Sequence, residues 1–397
     1  MKVLHIGAGE GGSQIANLIK KMHPEAICKT INTSPNDHAK ATNLKEEDKL
    51  LLENTKGFAK KMKAALEIIQ SQGETIVEKL IIPELENGVE RIILHATTGG
   101  GTGIGITTAL SKVFKENLGD DVKFAVSLVA PFEYDDSTAF KNTLLSIKML
   151  EELQVPTRII SNSKFLNREG TSEADIHFKV NRYIVSTLME ILDVPNKKTI
   201  GRNTDYEEID EVLFEPGYTF IFKSPLSNKY KDKNLSNLLP NLNQSLDLGF
   251  TPGDYIKNRL IVLSANHNLA SELNLKDINE QIGEAHKKTF FTHIEPDPNQ
   301  EYILFVLSGC NLPKGLKDIQ ENLKHFEEKE SKKTSLNLDL SLFKDEEKAK
   351  EVDNQITKNF FQSKEENSDI IKPEDSKAIK ISKKWKFWLM EEKKCLE

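Results

Sequence analysis

Short runs of apolar and β-branched residues, bounded by Gly, Asn or Pro, recur through the first 161 residues: KVLHI (2–6), ICKTI (27–31), RIILHA (91–96), VKFAVSLV (122–129) and TRIIS (157–161). Continuous apolar runs of this length predict strands buried on both faces. Between them, Ile15–Met22, Phe58–Leu80, Thr107–Asn117 and Ser137–Leu153 have helical patterns. Strands alternating with helices predict an α/β domain with a Rossmann-like parallel sheet covered on both sides.

The segment SEADIHFKVNRYIVSTLMEILD (172–193) opens with a Ser-x-x-Asp capping arrangement, is apolar on more than one face and meets Pro195 soon afterwards. It predicts a long buried helix of about 30 Å, enough to cross the body between two domains. Beyond it, YTFIFK (218–223), RLIVLS (259–264), TFFTHI (289–294) and YILFVLS (302–308) predict a second, smaller α/β domain. A helical stretch from Gly315 to about Glu330 then gives way to Lys, Glu, Ser and Asn with few large apolar residues, the composition of a disordered segment. The chain is therefore divided into an α/β domain (1–171), the long helix (172–193), a loop and helix (194–217), the smaller domain (218–330), a flexible linker (331–379) and a tail (380–397). No internal repeat is present.

The tail holds both tryptophans, in KISKKWKFWLM (380–390), with Ile381, Trp385 and Trp388 at helical spacing among four lysines. Such a segment is a binding peptide for a neighbouring subunit, an adaptor protein or a membrane surface; a helix packed on its own body is the alternative.

Composition narrows the picture. A chain of 397 residues has room for two domains and extras, and a net charge of -7 argues against general nucleic-acid affinity. The three cysteines, Cys28, Cys310 and Cys395, are far apart and form no Cys-x-x-Cys pair, so a reducing cytoplasm is expected and zinc is not. A glycine loop stands where a signal peptide would need an apolar run, and no stretch approaches a membrane helix. The terminal KKCLE is no prenylation signal, its cysteine being third from the end.

Two glycine loops carry the candidate chemistry. GAGEGG (7–12) follows a strand and opens a helix, with Gly7, Gly9 and Gly12 at the Gly-x-Gly-x-x-Gly spacing of a dinucleotide fold. That fold also requires a carboxylate after its second strand, and the strand here ends in Asn32 and Thr33. The second loop lies in HATTGGGTGIG (95–105), again between a strand and a helix. Its glycines let backbone amides approach an anion, but the Lys and Ser or Thr of a Walker loop are missing. A glycine-rich turn without a ligand is the alternative for either loop alone; two on one sheet edge converge on one anion.

GGGTGIG (99–105) resembles the signature of the tubulin and FtsZ superfamily, departing from it at Ile104, and GEGGSQIAN (9–17) resembles that superfamily's first nucleotide loop. The resemblance covers residues 1–330 and implies GTP or GDP with Mg²⁺. It places the nucleotide on Gly9, Glu10, Gly11, Gly12, Gln14, Asn32, Gly99, Gly100, Gly101, Thr102 and Gly103. NSKFL, through Asn162, resembles the FtsZ loop beside the sugar and base, and PFEY (131–134) the loop beneath the ribose. NRYI (181–184) resembles the plasmid-borne TubZ branch, making Asn181 the first choice for guanine. Its amide offers the donor and acceptor that a purine edge needs. LSGCNLPKGLKDI (307–319) also resembles TubZ, and no FtsZ-type C-terminal peptide is found.

GRNTDYEEIDEVLFEPG (201–217) resembles the segment that enters the nucleotide pocket of the neighbouring subunit in FtsZ and TubZ. The resemblance makes Asn203, Asp205 and Glu208 catalytic, two carboxylates orienting a water for attack on the γ-phosphate. The local alternative is structural: Thr204 and Glu207 read as a capping box. The region that senses the γ-phosphate in FtsZ corresponds to ENTKGFAKKM (53–62), where Gly57 is the candidate. Lys56 or Lys60 are possible sources of charge, although lysines so clustered read first as a solvated helix face.

The implied function is a GTPase that polymerises head to tail and hydrolyses GTP between subunits, in the bacterial cytoplasm, for plasmid or phage DNA segregation. A DNA-binding adaptor on the tail is an expected partner. An FtsZ-type division filament, a filament that binds GTP without hydrolysing it, and an NAD-dependent oxidoreductase are the alternatives.

Overall fold

Every apolar run forms a strand, and most strands extend beyond it, in the computed structural model, which describes residues 1–52, 60–119, 121–166, 172–226, 247–250, 254–265, 275–296 and 301–333. In chain order the elements are β1 (Val3–Ala8), α1 (Gly9–Met22), β2 (Ile27–Asn32), α2 (Pro35–Ala39), β3 (Lys49–Leu51), α3 (Met62–Ile76), α4 (Ile82–Glu86), β4 (Arg91–Thr97), α5 (Gly101–Asn117), β5 (Lys123–Ala130), α6 (Ser137–Glu152), β6 (Thr157–Ser161), α7 (Glu173–Asp193), α8 (Tyr206–Leu213), β7 (Tyr218–Pro225), β8 (Ile256–Ser264), α9 (Leu275–Ile282), β9 (Ala285–Ile294), β10 (Tyr302–Cys310) and α10 (Gly315–Lys333).

Ten strands form one α/β sheet in the order β3-β2-β1-β4-β5-β6-β7-β10-β8-β9. Strands β1 to β6 are parallel, and β10 runs antiparallel to both β7 and β8. The chain moves from β1 outward to β3, then crosses back to place β4 on the other side of β1. That reversal opens a crevice beyond the carboxyl ends of β1 and β4, where open α/β sheets bind ligands. The sheet's two halves meet at a thin seam, since β6 and β7 pair over only Thr157↔Tyr218 and Arg158↔Thr219. The buried Arg158 guanidinium closes that seam: it donates to both oxygens of Asp247, and one of them, Oδ2, also accepts from the Ile221 amide of β7.

Alternation along β1 and β4 sends Leu4, Ile6, Leu94 and Ala96 into one core cluster with Ile69, Ile104 and Leu110 of α3 and α5. On the opposite face, Ile15 and Ile19 of α1 pack with Val180 and Ile184 of α7. Helix α8 buries Ile209, Val212 and Leu213 among Val3 and Ile93 of one half of the sheet and Leu304 and Val306 of the other.

Helix boundaries depart from the apolar periodicity. α1 starts at Gly9 and α5 at Gly101, because the glycine loops are themselves first turns. The helix expected from Phe58 begins instead at Met62, after Lys60, whose φ of 66° is incompatible with a helix. It widens to a π turn over Val77–Ile81 before Pro83, which lacks the N–H a regular helix would use. Ser172 and Asp175 form the reciprocal cap of α7. α10 continues through the first three residues assigned to the linker, while the rest of the linker and the tail, with Trp385 and Trp388, lie outside the described residues, as do Lys56 and Gly57. Among the described residues no helix is long and apolar enough to cross a membrane.

Candidate functional site

The two glycine loops meet backbone to backbone. Gly9 has φ 67°, and a Cβ on it would lie 2.8 Å from Gly103 Cα; a Cβ on Gly103 would lie 2.7 Å from the Ala8 oxygen. A Cβ on Gly12 would stand 2.0 Å from the His95 oxygen, so α1 is seated directly on β4. Gly100 differs: nothing lies within 4 Å of its missing side chain. Packing thus fixes Gly9, Gly12 and Gly103, and leaves Gly100 open to the crevice.

That crevice is a cavity of about 420 Å³. It is lined by Glu10, Gly11, Gln14, Asn32, Gly100, Gly101, Thr102, Gly103 and Asn181. Gly9, Gly12, Gly99 and Asn162 are absent from its wall. Gly99 lies against Ala139 and Pro131, and Asn162 is a buried residue at the turn after β6. Phe132 is buried too, stacked on Tyr134 and edge-on to His177. The wall also includes Thr33, Ser34, Asp37, Thr97 and His177, which are not among the expected nucleotide residues, and Lys60, one of the two lysines considered as a source of charge.

Two helix N-termini, those of α1 and α5, open on this cavity, so unpaired amides and positive dipole ends face whatever fills it. The Thr33 and Thr102 hydroxyls, 3.1 Å apart, tie the end of β2 to the start of α5. Asn32 donates its amide to Ser13 Oγ at 2.8 Å, and no carboxylate takes the position where a dinucleotide fold holds its ribose. The two acidic residues of the wall, Glu10 and Asp37, both pair with Lys40. Among the described residues, no group of three His, Cys, Asp or Glu side chains could hold a metal by itself. A larger cleft of about 870 Å³ lies between the start of β1 and the end of α7, but it has neither a glycine loop nor a helix N-terminus on its wall.

Within the sheet, His5 of β1 and His95 of β4 stack, with ring nitrogens 3.2 Å apart. Burial lowers the pKa of His5 to about 4 and that of His95 well below its ordinary value, so both rings are neutral near pH 7.

The acidic segment sits elsewhere. Asn203 and Asp205 are exposed on the loop before α8. Asp205, not Thr204, caps the helix, accepting from the Glu208 amide at 2.9 Å; Thr204 is fully buried, with its hydroxyl unpaired among the described residues. One Glu208 oxygen accepts from Arg202 at 2.6 Å, and the other is buried without a partner among the described residues. Helix α8 is anchored by Asp210, which receives both Arg91 Nε and Nη2 at 2.6 Å and Lys123 at 3.2 Å.

Strand β4 measures the separation. Arg91, at its start, holds α8, while Thr97, six residues on, lines the cavity. At about 3.3 Å per residue this is about 20 Å. The structure brings the glycine loops and Asn181 together and keeps Asn203, Asp205 and Glu208 off the cavity wall, at the start of a helix that is anchored to the first residue of β4.

A mostly parallel sheet, glycine-rich helix starts at its switch point and a central helix leading to an acidic loop match known proteins. No family model matches the chain. A stretch of 153 residues is 29% identical to the cell division protein FtsZ of Mycoplasmopsis pulmonis (strain UAB CTIP), covering 37% of this chain and 36% of that relative's length. The GTPγS-form protofilament of Bacillus thuringiensis serovar israelensis TubZ superposes with a TM-score of 0.70 at 16% identity, over 85% of this chain and 95% of that one. CetZ from Methanosaeta thermophila strain DSM 6194 gives 0.67 at 17% identity, over 90% and 98%. The chain has the tubulin and FtsZ fold. Among the solved structures it resembles are both TubZ and CetZ.

Proposed function

We propose that this protein is a GTPase that assembles head to tail, the acidic loop of one chain completing the cavity of the next. The observation that carries the reading is the separation along β4: Arg91, which anchors α8, and Thr97, which lines the cavity, stand about 20 Å apart, and neither Asp205 nor Glu208 lines the cavity of its own chain. A heterologous contact that joins the two ends does not close on itself, so it propagates as a filament. The TubZ likeness, solved as a GTPγS-form protofilament, supports the same arrangement.

In this reading Asn181 holds the guanine edge, and the first turns of α1 and α5 hold the phosphates through backbone amides and the hydroxyl of Thr102. Glu10 and Asp37 are the acidic groups near enough to take part in holding Mg²⁺, which generally binds through one or two carboxylates together with nucleotide phosphates. The ion would screen phosphate charge. From the neighbouring chain, Glu208 takes the proton of a water whose oxygen attacks the γ-phosphorus as the bond to GDP breaks, with Asn203 and Asp205 orienting that water. The cellular role we favour is plasmid or phage DNA segregation, with an adaptor bound by residues 380–397, because NRYI and the LPK element resemble TubZ.

Sedimentation with GTP against GDP, coupled to phosphate release, tests this. Glu208→Ala is expected to sediment with GTP as the parent does while phosphate release falls by about 100-fold. Release at the parent rate would remove Glu208 from its role.

A further inference from the structure

The phosphate loop lacks a lysine, yet the cavity has one. Lys60 is the only Lys or Arg among the described residues of the cavity wall, and it comes from neither glycine loop. Its backbone is packed on the start of α5: a Cβ on Gly101 would lie 2.7 Å from the Lys60 carbonyl carbon. The buried Asn142 amide donates to the Lys60 oxygen at 2.8 Å, so α6 holds the same residue from the other side.

Two features set Lys60 apart from a solvated lysine. Its φ of 66° is a left-handed conformation that glycine adopts freely and lysine only at a cost, so a side chain is kept where none is easiest. Its ammonium is already engaged, donating to Asp136 Oδ2 at 2.6 Å, and this partner holds the Asp136 carboxyl below its ordinary pKa. Both side chains remain partly exposed, which leaves the pair free to open.

We propose that Lys60 is the counter-charge for the terminal phosphate of the bound nucleotide, held on Asp136 until a triphosphate draws it away. The proposal rests on the nucleotide reading above. With the base at Asn181, the phosphates fall on the first turn of α5, where Lys60 stands. Helix amides spread their partial charges over all the phosphates, whereas one mobile ammonium responds to the added charge of the last.

The test is equilibrium competition of GTPγS and of GDP against a fluorescent GDP probe, with magnesium, on the full chain below its assembly concentration. Lys60→Gln and Lys60→Gly are expected to lower the ratio of GTPγS to GDP affinity by about tenfold or more, leave GDP affinity within about twofold, and Lys60→Arg to keep the ratio. Glycine relieves the backbone while removing the charge, so a ratio unchanged in Lys60→Gly overturns the proposal whatever Lys60→Gln does. Loss of GDP binding in both variants overturns it too, making Lys60 a support of the loop. Asp136→Asn still caps α6 and is expected to raise the ratio; a fall would overturn the hold on Asp136. A parent that binds neither guanine nucleotide defeats the reading of the cavity itself, an outcome distinct from an unchanged ratio.

Discussion

The cavity end and the acidic end of this molecule are built by opposite means. At the cavity, the critical positions have no side chains: Gly9, Gly12 and Gly103 let two helix starts and a strand touch through backbone. Further back along the same strands β1 and β4, burial keeps His5 and His95 neutral. At the acidic end, position is set by charged side chains, with Asp210 between Arg91 and Lys123, and Lys257 and Lys288 paired with Glu215 and Glu211. One end is set by backbone shape, the other by paired charged side chains. On the proposed function, fixed amides suit a surface that receives a polyanion, and an anchored helix suits one that delivers carboxylates.

The sharpest way to break the comparison is Gly12→Ala. The new Cβ would meet the His95 oxygen at 2.0 Å, and neither backbone has room to yield, so a loss of about 4 kcal/mol is expected in denaturant unfolding. A loss below about 1 kcal/mol would mean that α1 is not seated rigidly on β4.

Next in size is Asp210→Ala. It leaves Arg91 without its buried partner and is expected to cost about 3 kcal/mol, while GDP binding at the far end of β4 is unchanged. Weakened GDP binding would show that the two ends are not independent.

Smallest is the response to acid. The unfolded chain takes up a proton on His5 near pH 6.5, whereas the folded chain resists it down to about pH 4, so stability is full above the unfolded pKa and falls as pH drops. Between pH 6.5 and pH 5 the expected loss is about 2 kcal/mol. Replacing both histidines by leucine should flatten this part of the profile in thermal unfolding, and a slope that persists would assign it to other groups.

What the sequence disclosed follows the same divide. Strands were legible because β-branched runs such as RIILHA bury both faces, and the glycine loops because their spacing is local. The first turns of α1 and α5 were hidden, since glycines carry no apolar period. Ser34 and Asp37 reach the cavity through tertiary packing, and nothing in their own neighbourhoods marks them; Lys60 was legible as a candidate charge, but its lysine-rich surroundings read first as a solvated helix face. His177 was within reach: it stands one helical turn before Asn181, on the same face. The cap of α8 falls on Asp205, one position beyond the Thr204 of the local capping-box alternative, because burial decides which residue turns inward and Thr204 is the buried one.

Opposite placement of the cavity and the carboxylates along β4 has an arithmetic consequence. If each complete site needs a cavity from one chain and acids from another, a row of n chains contains n − 1 sites. A single chain has none, a pair has one for two nucleotides, and the yield per chain approaches one only in long rows. Rate per molecule then becomes a measure of length, and one end of every row carries a nucleotide that no neighbour can reach.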